Sequence, residues 1–186
     1  MQSLNGKTIA ILATDGFEQS ELEVPLNELK AAGATVHVVS PKSGEIRGWD
    51  EKDWGRAVKV DRRLDGTSSA DYDALVLPGG QINPDLLRVE DKALALVKAF
   101  WAEKKVIAAI CHGPWLLAET GIAKGRKLTS YPSIRTDMIN AGADWTDAEV
   151  VCDQGLVTSR NPGDLKAFVA KIAEEVAEGR HERRAA

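Results

Sequence analysis

The stretch that decides the fold is VIAAICHGP, residues 106–114. The apolar run 106–110 predicts a fully buried strand. Gly113 permits a tight turn, and Pro114 suits the first turn of a following helix. Cys111 therefore falls at a sharp strand-to-helix turn, the layout of a nucleophile elbow. A helix N-terminus beside the sulfur would lower its pKa, whereas the alternative is a buried, unreactive cysteine.

Apolar strands and helical segments alternate on both sides of this stretch, which indicates a parallel sheet covered on both faces and an α/β fold. In such sheets the ligand site lies beyond the carboxyl ends of the strands. The predicted strands are 7–13, 34–40, 74–77, 106–110, 148–151 and 156–159, with a small hairpin around 58–60. The predicted helices are 17–32, 91–104, a segment beginning at 114, 133–140 and 162–177.

Length and composition limit the remaining possibilities. The chain has 186 residues, which fits a single domain, 1–186, with a flexible tail at 177–186. The net charge of −4 gives no basis for binding nucleic acid or an anionic membrane. Two cysteines argue against a disulfide framework, and the first residues do not read as a signal peptide, so we expect a cytoplasmic protein. We expect no metal and no cofactor.

Two loops should meet Cys111 at the carboxyl edge of the sheet. Gly79 and Gly80 end the strand 74–77, and their backbone N–H groups could form an oxyanion hole. Glu18 begins the helix after the first strand, either as a helix-start carboxylate or as a partner of the cysteine, and spacing alone leaves both open.

Other candidates are weaker. His112 would need an orienting carboxylate to act as a base. Trp115 could line the pocket. We interpret Cys152 as structural and His181, in a basic tail, as solvated.

Several motifs together resemble the PfpI-like intracellular protease family of the DJ/PfpI superfamily. The match covers about residues 7–176, and its specificity comes from the ordered co-occurrence of the motifs. They are Asp15-Gly16-Phe17-Glu18, Leu77-Pro78-Gly79-Gly80, Ala109-Ile110-Cys111-His112-Gly113-Pro114, Ser130-Tyr131-Pro132, Asp137-Met138-Ile139-Asn140-Ala141-Gly142-Ala143 and Val157-Thr158-Ser159-Arg160. The resemblance implies a flavodoxin-like three-layer sandwich with the cysteine at its elbow.

The resemblance also implies roles. Cys111 would be the nucleophile, His112 its partner, and Glu18 a contact of the cysteine. Asp85 of a neighbouring subunit would orient the histidine, although several archaeal members carry Glu there and Asp is one methylene shorter. This role requires a homodimer at least, or a hexamer built of dimers.

These observations favour a cysteine-dependent hydrolase, a deglycase or glyoxalase or an intracellular peptidase, acting in stress protection. Gly80 and His112 N–H groups would hold the oxyanion, with Gly79 and Trp115 at the pocket. Small carbonyl compounds or glycated molecules are the expected substrates. The alternative is a non-catalytic oxidative-stress sensor in which Cys111 oxidises to the sulfinic acid. An amidotransferase-like partner of another subunit ranks last, because no ammonia-accepting domain is recognisable.

Overall fold

The computed structural model describes residues 2–182. The strands are β1 (Thr8–Leu12), β2 (Phe17–Glu18), β3 (Thr35–Ser40), β4 (Glu45–Asp50), β5 (Asp53–Lys59), β6 (Arg62–Arg63), β7 (Ala74–Leu77), β8 (Val106–Ile110), β9 (Lys127–Leu128), β10 (Asp144–Trp145), β11 (Val151–Asp153) and β12 (Leu156–Ser159). The α-helices are α1 (Gln19–Ala31), α2 (Ile82–Leu87), α3 (Asp91–Ala102), α4 (Trp115–Glu119), α5 (Arg135–Asn140) and α6 (Leu165–Glu178). Short 3-10 turns lie at Ser69–Asp71, Pro132–Ile134 and Pro162–Asp164.

The main sheet is mostly parallel, which confirms the predicted fold class. Within residues 2–182 it has seven strands in the order β11-β12-β8-β7-β1-β3-β6. The pairs β12–β8, β8–β7, β7–β1, β1–β3 and β3–β6 are parallel, and only the edge strand β11 is antiparallel to its neighbour.

Alternating residues of the central strands pack into two separate hydrophobic clusters, one on each face of the sheet, because successive side chains in a strand point to opposite faces. On one face Ile9 and Ile11 of β1 pack in the same cluster as apolar residues of α1 and α6. On the other face Ala10 and Leu12 join a cluster with residues of α3 and α4. The result is the three-layer sandwich expected from the sequence.

Strand register brings the functional loops to one edge. Leu77 at the end of β7 pairs with Ala109 of β8, and Ser159 at the end of β12 pairs with Ile110. The loop with the two glycines and the turn at Cys111 therefore leave adjacent strands at nearly the same height, about 5 Å apart.

Short peripheral elements differ from the prediction. The expected small hairpin at 58–60 is a longer one, β4–β5, and with β2 it forms a separate three-strand sheet within the described chain. Helix α2 was not predicted, since its six residues carry too few turns to show a helical period. The strand expected at 148–151 lies at Val151–Asp153.

The prediction of a flexible tail at 177–186 is wrong for its first residues. Residues 177 and 178 continue α6, and residues 179–182 follow it, whereas 183–186 lie outside the described residues. None of the described helices is both long enough and apolar enough to cross a bilayer.

Candidate active site

The turn after β8 holds Cys111 in a strained backbone conformation. All five residues of β8 are buried, and Cys111 then has φ +62°, the left-handed region that costs a non-glycine residue about 1–3 kcal/mol. The next turn closes through Gly113 N–H to Ile110 O at 2.9 Å. A Cβ at Gly113 would lie 2.5 Å from the Leu77 carbonyl oxygen, so only glycine fits there.

The two glycines after β7 lie directly against this turn. A Cβ on Gly79 would come within 2.6 Å of the Cys111 Cβ, and Gly80 has φ +77°. Backbone N–H groups of Gly80 and His112 both lie near the Cys111 sulfur, where they lower the pKa of the thiol and favour its thiolate form. The two predicted oxyanion donors thus converge on the predicted nucleophile.

Asn83 braces the glycine loop from behind, and sequence reasoning missed it. This buried side chain donates from Nδ2 to the Pro78 and Gly79 carbonyls, at 3.0 and 3.2 Å. Its Oδ1 accepts the Thr14 N–H at 2.8 Å. Because both carbonyls are tied to Asn83, the peptide units of the loop are held in one orientation.

The carboxylate beside the cysteine is Glu21 rather than the expected Glu18. Glu21 is fully buried in α1, its Oε2 accepts the Gly79 N–H at 2.9 Å, and its carboxyl interacts with the Cys111 thiol. Glu18 instead caps α1, with Oε1 2.9 Å from the Ser20 hydroxyl. The helix-start alternative considered for Glu18 is therefore the arrangement found.

A signal for Glu21 was present in the sequence. Glu21 shares the inward face of α1 with Leu22, Pro25 and Leu29. A carboxylate on an otherwise apolar helix face is costly to bury and marks a candidate functional group.

Burial controls the ionisation of the pair Glu21–Cys111. Burial first, and then the nearby Glu18 carboxylate, raises the pKa of Glu21 from 4.5 to about 8. Burial and the Glu21 charge also raise the pKa of the Cys111 thiol above its usual range, against the pull of the Gly80 and His112 amides. The sequence predicted that a helix N-terminus would lower the pKa of the Cys111 thiol. That prediction is wrong, because Cys111 is buried and α4 begins only at Trp115. A neutral Glu21 removes the opposing charge, and near neutral pH the carboxyl and the thiol each hold a proton of their own.

His112 is placed to exchange a proton with the sulfur. Its Nδ1 lies 3.1 Å from Cys111 Sγ, and its Nε2 lies 3.1 Å from the Ser133 hydroxyl, a partner that the sequence did not suggest. Its ring stacks on Tyr131 at 4.9 Å between centroids. Burial lowers the pKa of His112, which keeps the imidazole neutral and able to accept a proton.

Asp85 does not reach His112 within one chain. It is an exposed residue in the first turn of α2, and among the described residues no hydrogen bond or ion pair joins the two side chains. Ser133 occupies the Nε2 side of the imidazole instead. A contact from Asp85 therefore requires a second subunit.

A cavity of about 570 Å³ opens above the sulfur. Two expected pocket residues do not line it: Gly79 lies behind the cysteine, and Trp115 packs edge-on against His112 and bonds Asp137. The lining residues are Gly16, Glu18, Glu21, Trp49, Glu51, Gly80, Gln81, Ile82, Cys111, His112, Tyr131 and Pro162.

The fold and this elbow define an α/β protein with a buried cysteine–histidine–glutamate site at the carboxyl edge of its sheet. Residues 7–175 match the model of the DJ-1/PfpI family. The chain belongs to that family.

Several named relatives are similar to this chain over most of its length. Deglycase TK1284 of Thermococcus kodakarensis is 45% identical over 164 residues, 88% of this chain and 96% of that protein. YraA of Bacillus subtilis, which carries a cysteine-protease name, is 45% identical over 163 residues, 87% and 94% of the two chains. General stress protein 18 of the same organism is 46% identical over 165 residues, 88% and 94%. These names are consistent with a cysteine hydrolase.

Solved structures agree on the fold. The crystal structure of Drosophila melanogaster DJ-1beta superposes with a TM-score of 0.82 at 30% identity, covering 96% of this chain and 95% of that one.

Proposed function

We propose that this protein is a cysteine-dependent hydrolase of the deglycase or glyoxalase type, acting on small carbonyl compounds and their adducts. The observation that carries the proposal is the convergence on one sulfur of His112 Nδ1, at 3.1 Å, and of the Gly80 and His112 amides. A base, a nucleophile and two oxyanion donors are the minimum set for addition to a carbonyl carbon.

The first step follows from this geometry. The Cys111 thiol gives its proton to His112 Nδ1 as the sulfur bonds to the aldehyde carbon. The former carbonyl oxygen gains the negative charge and accepts the Gly80 and His112 N–H groups. His112 then returns the proton to that oxygen, which leaves a hemithioacetal. His112 Nε2, which carries the ring hydrogen during this step, donates to Ser133 and so keeps the reactive tautomer.

The overall reaction needs no cofactor. Methylglyoxal and water give lactate by oxidation of the aldehyde carbon and reduction of the ketone carbon of the same molecule, so no external electron acceptor enters. The cavity of about 570 Å³ is of the size that suits a small ligand. This size favours small adducts over a folded protein, and makes peptide hydrolysis the secondary activity.

We further propose that the working unit is a homodimer or an assembly of dimers, in the cytoplasm. Helix α2 presents Ile82 and Leu86, which are 39% and 49% exposed, on either side of Asp85, and Val89 beyond its end is 78% exposed. A second copy covering this apolar strip would carry Asp85 towards the imidazole of its neighbour. In that position the carboxylate would stabilise the imidazolium formed when His112 takes the thiol proton.

The test compares methylglyoxal consumption and lactate formation by the wild type, Cys111→Ser and the matched control Cys152→Ser, with a fluorogenic peptide in parallel. We expect turnover in the wild type and in Cys152→Ser, and none in Cys111→Ser. Equal turnover in Cys111→Ser would refute nucleophilic catalysis by this residue. Turnover of the peptide alone would assign a peptidase.

A non-catalytic oxidative-stress sensor is the second candidate, and the Glu21 carboxyl favours it. With a pKa raised to about 8 by burial and by Glu18, that carboxyl is protonated at neutral pH and can donate a hydrogen bond to an oxidised sulfur. Peroxide titration followed by intact mass and peptide mapping tests it. Oxidation of Cys111 to the sulfinic acid well before Cys152 would support the sensor, and oxidation of Cys111 no faster than Cys152 would exclude it.

A further inference from the structure

A second group of chemically reactive side chains lies at the opposite edge of the sheet. Oxygen and nitrogen ligand atoms of Glu175, Glu178 and His181 all lie within 4.8 Å of one another. The adjacent turn at Gly155 accepts a hydrogen bond from Ile107 at the start of β8, whereas Cys111 follows its end. Four residue steps along the strand, roughly 13 Å, therefore separate this group from the active site.

The local sequence builds the group. Glu175 and Glu178 stand three residues apart, on one face of α6. The helix then ends at Gly179, with φ +95°, and the chain turns back so that the His181 N–H donates to the Lys104 carbonyl at 3.1 Å.

His181 is packed rather than solvated, which corrects the expectation from the sequence. Its ring lies against Gly155, where an added Cβ would come within 2.5 Å of ring atom Cδ2. Its side chain is 13% exposed. The absence of a side chain at Gly155 is what leaves room for the imidazole.

Charge balance points to a cation. The Glu175 side chain is only 9% exposed, and its Oε2 lies 3.4 Å from His181 Nε2. A buried carboxylate is stabilised by an ion pair or by coordination to a metal ion. Lys171 on the same helix forms its ion pair with Glu174, at 2.8 Å, and contributes only a weaker attraction to Glu175. The His181 Nε2 atom also lies 3.3 Å from the Glu175 backbone carbonyl. A divalent ion would supply the charge and would use the neutral imidazole as a ligand.

We propose that Glu175, Glu178 and His181 bind a divalent metal ion of the zinc class, with water completing the coordination. One imidazole and two carboxylates form a donor set that suits zinc, whereas magnesium prefers oxygen ligands alone. The Cys152 thiol on β11, whose pKa the nearby Glu175 carboxylate raises, would contact that ligand from outside the coordination sphere. The bound ion would fasten the segment after α6 to the end of the helix.

The experiment is a calorimetric titration of the full chain with ZnCl2 and, separately, MgCl2. It is done in the Cys111→Ser background, because a thiol beside an imidazole at the active site also binds zinc. The variants are His181→Ala and Glu178→Gln, the latter at an exposed position whose change should not disturb folding. The matched control is Glu174→Gln, which lies on the same helix outside the group.

We expect one zinc ion per chain, a Kd at least about tenfold weaker in His181→Ala and in Glu178→Gln, and no change in Glu174→Gln. Magnesium should not compete. Thermal melting in zinc should rise for the background and the control but not for the two ligand variants. Zinc binding that is absent, or equal in all variants, would overturn the proposal. Either result is independent of the methylglyoxal assay.

Discussion

Replacing Glu21 with Gln should change how the stability of the protein depends on pH. The native state holds a proton on this carboxyl up to about pH 8, because burial and the Glu18 charge raise its pKa from 4.5. An unfolded chain releases that proton near pH 4.5. The folded state therefore binds more protons between these values, and the contribution of Glu21 to stability is full below pH 4.5 and is lost as the pH rises to about 8.

The magnitude follows from the two pKa values. Each unit of pKa is worth 1.36 kcal/mol, so between pH 5 and pH 8 the free energy of unfolding loses roughly 3–4 kcal/mol through this one group. Gln keeps a carbonyl oxygen for the Gly79 N–H but has no titrating proton. The difference in unfolding free energy between Glu21→Gln and the wild type should consequently move by roughly 3–4 kcal/mol in favour of the variant over that range.

The assay is urea unfolding at pH 5, 6, 7 and 8 for the wild type, Glu21→Gln and the control Glu28→Gln. Glu28 lies on the same helix but is exposed, and its variant should follow the wild type at every pH. The difference between proteins cancels the titration of all other groups. If Glu21→Gln and the wild type keep parallel pH profiles, Glu21 is ionised in the native state and the description of a protonated Glu21 carboxyl beside Cys111 is wrong.

Three further predictions concern the same site. Ser133→Ala should lower kcat about tenfold and shift the part of the pH–rate profile that reports His112 ionisation, with little change in KM, because the imidazole loses its hydrogen-bond acceptor. Ser133→Thr should restore both kcat and the profile. An unchanged profile in Ser133→Ala would show that Ser133 does not position the imidazole. Gly79→Ala should destabilise the fold by about 1–3 kcal/mol, since its Cβ would lie 2.6 Å from that of Cys111, and an unshifted urea midpoint would contradict this packing. Refolding an equal mixture of Asp85→Asn and Cys111→Ser chains should recover about a quarter of wild-type activity if Asp85 acts across a dimer, and none if it acts within one chain.

The central sheet was predictable because its strands are buried on both faces. The runs at β7 and β8 are continuously apolar, all four residues of β12 are buried, and the observed bounds of all three strands equal the predicted ones. Helix α2 and the hairpin β4–β5 carry mixed, half-exposed residues. Contacts with the rest of the fold select their structure, so short-range patterns missed the helix and indicated only a small part of the hairpin.

The candidate site was predictable in its backbone and less so in its charges. The positions of Cys111 and the two glycines follow from where the strands end and from the turns after them, and both are visible in the local sequence. The choice between Glu18 and Glu21 depends on which face of α1 meets the sheet, and three residues separate the two. The raised thiol pKa arises from burial beneath several loops, a property of the assembled fold.

The hairpin β4–β5 places Trp49 and Glu51 at the cavity, although it belongs to a different sheet from the one that holds Cys111. The residues that react with a substrate and the hairpin residues that line its entrance thus belong to separate parts of the chain. Substitutions at the hairpin tip can alter which molecule enters while the sulfur, the imidazole and the two amides stay in register. The substrate selectivity of this protein can therefore change while the reaction at Cys111 stays the same.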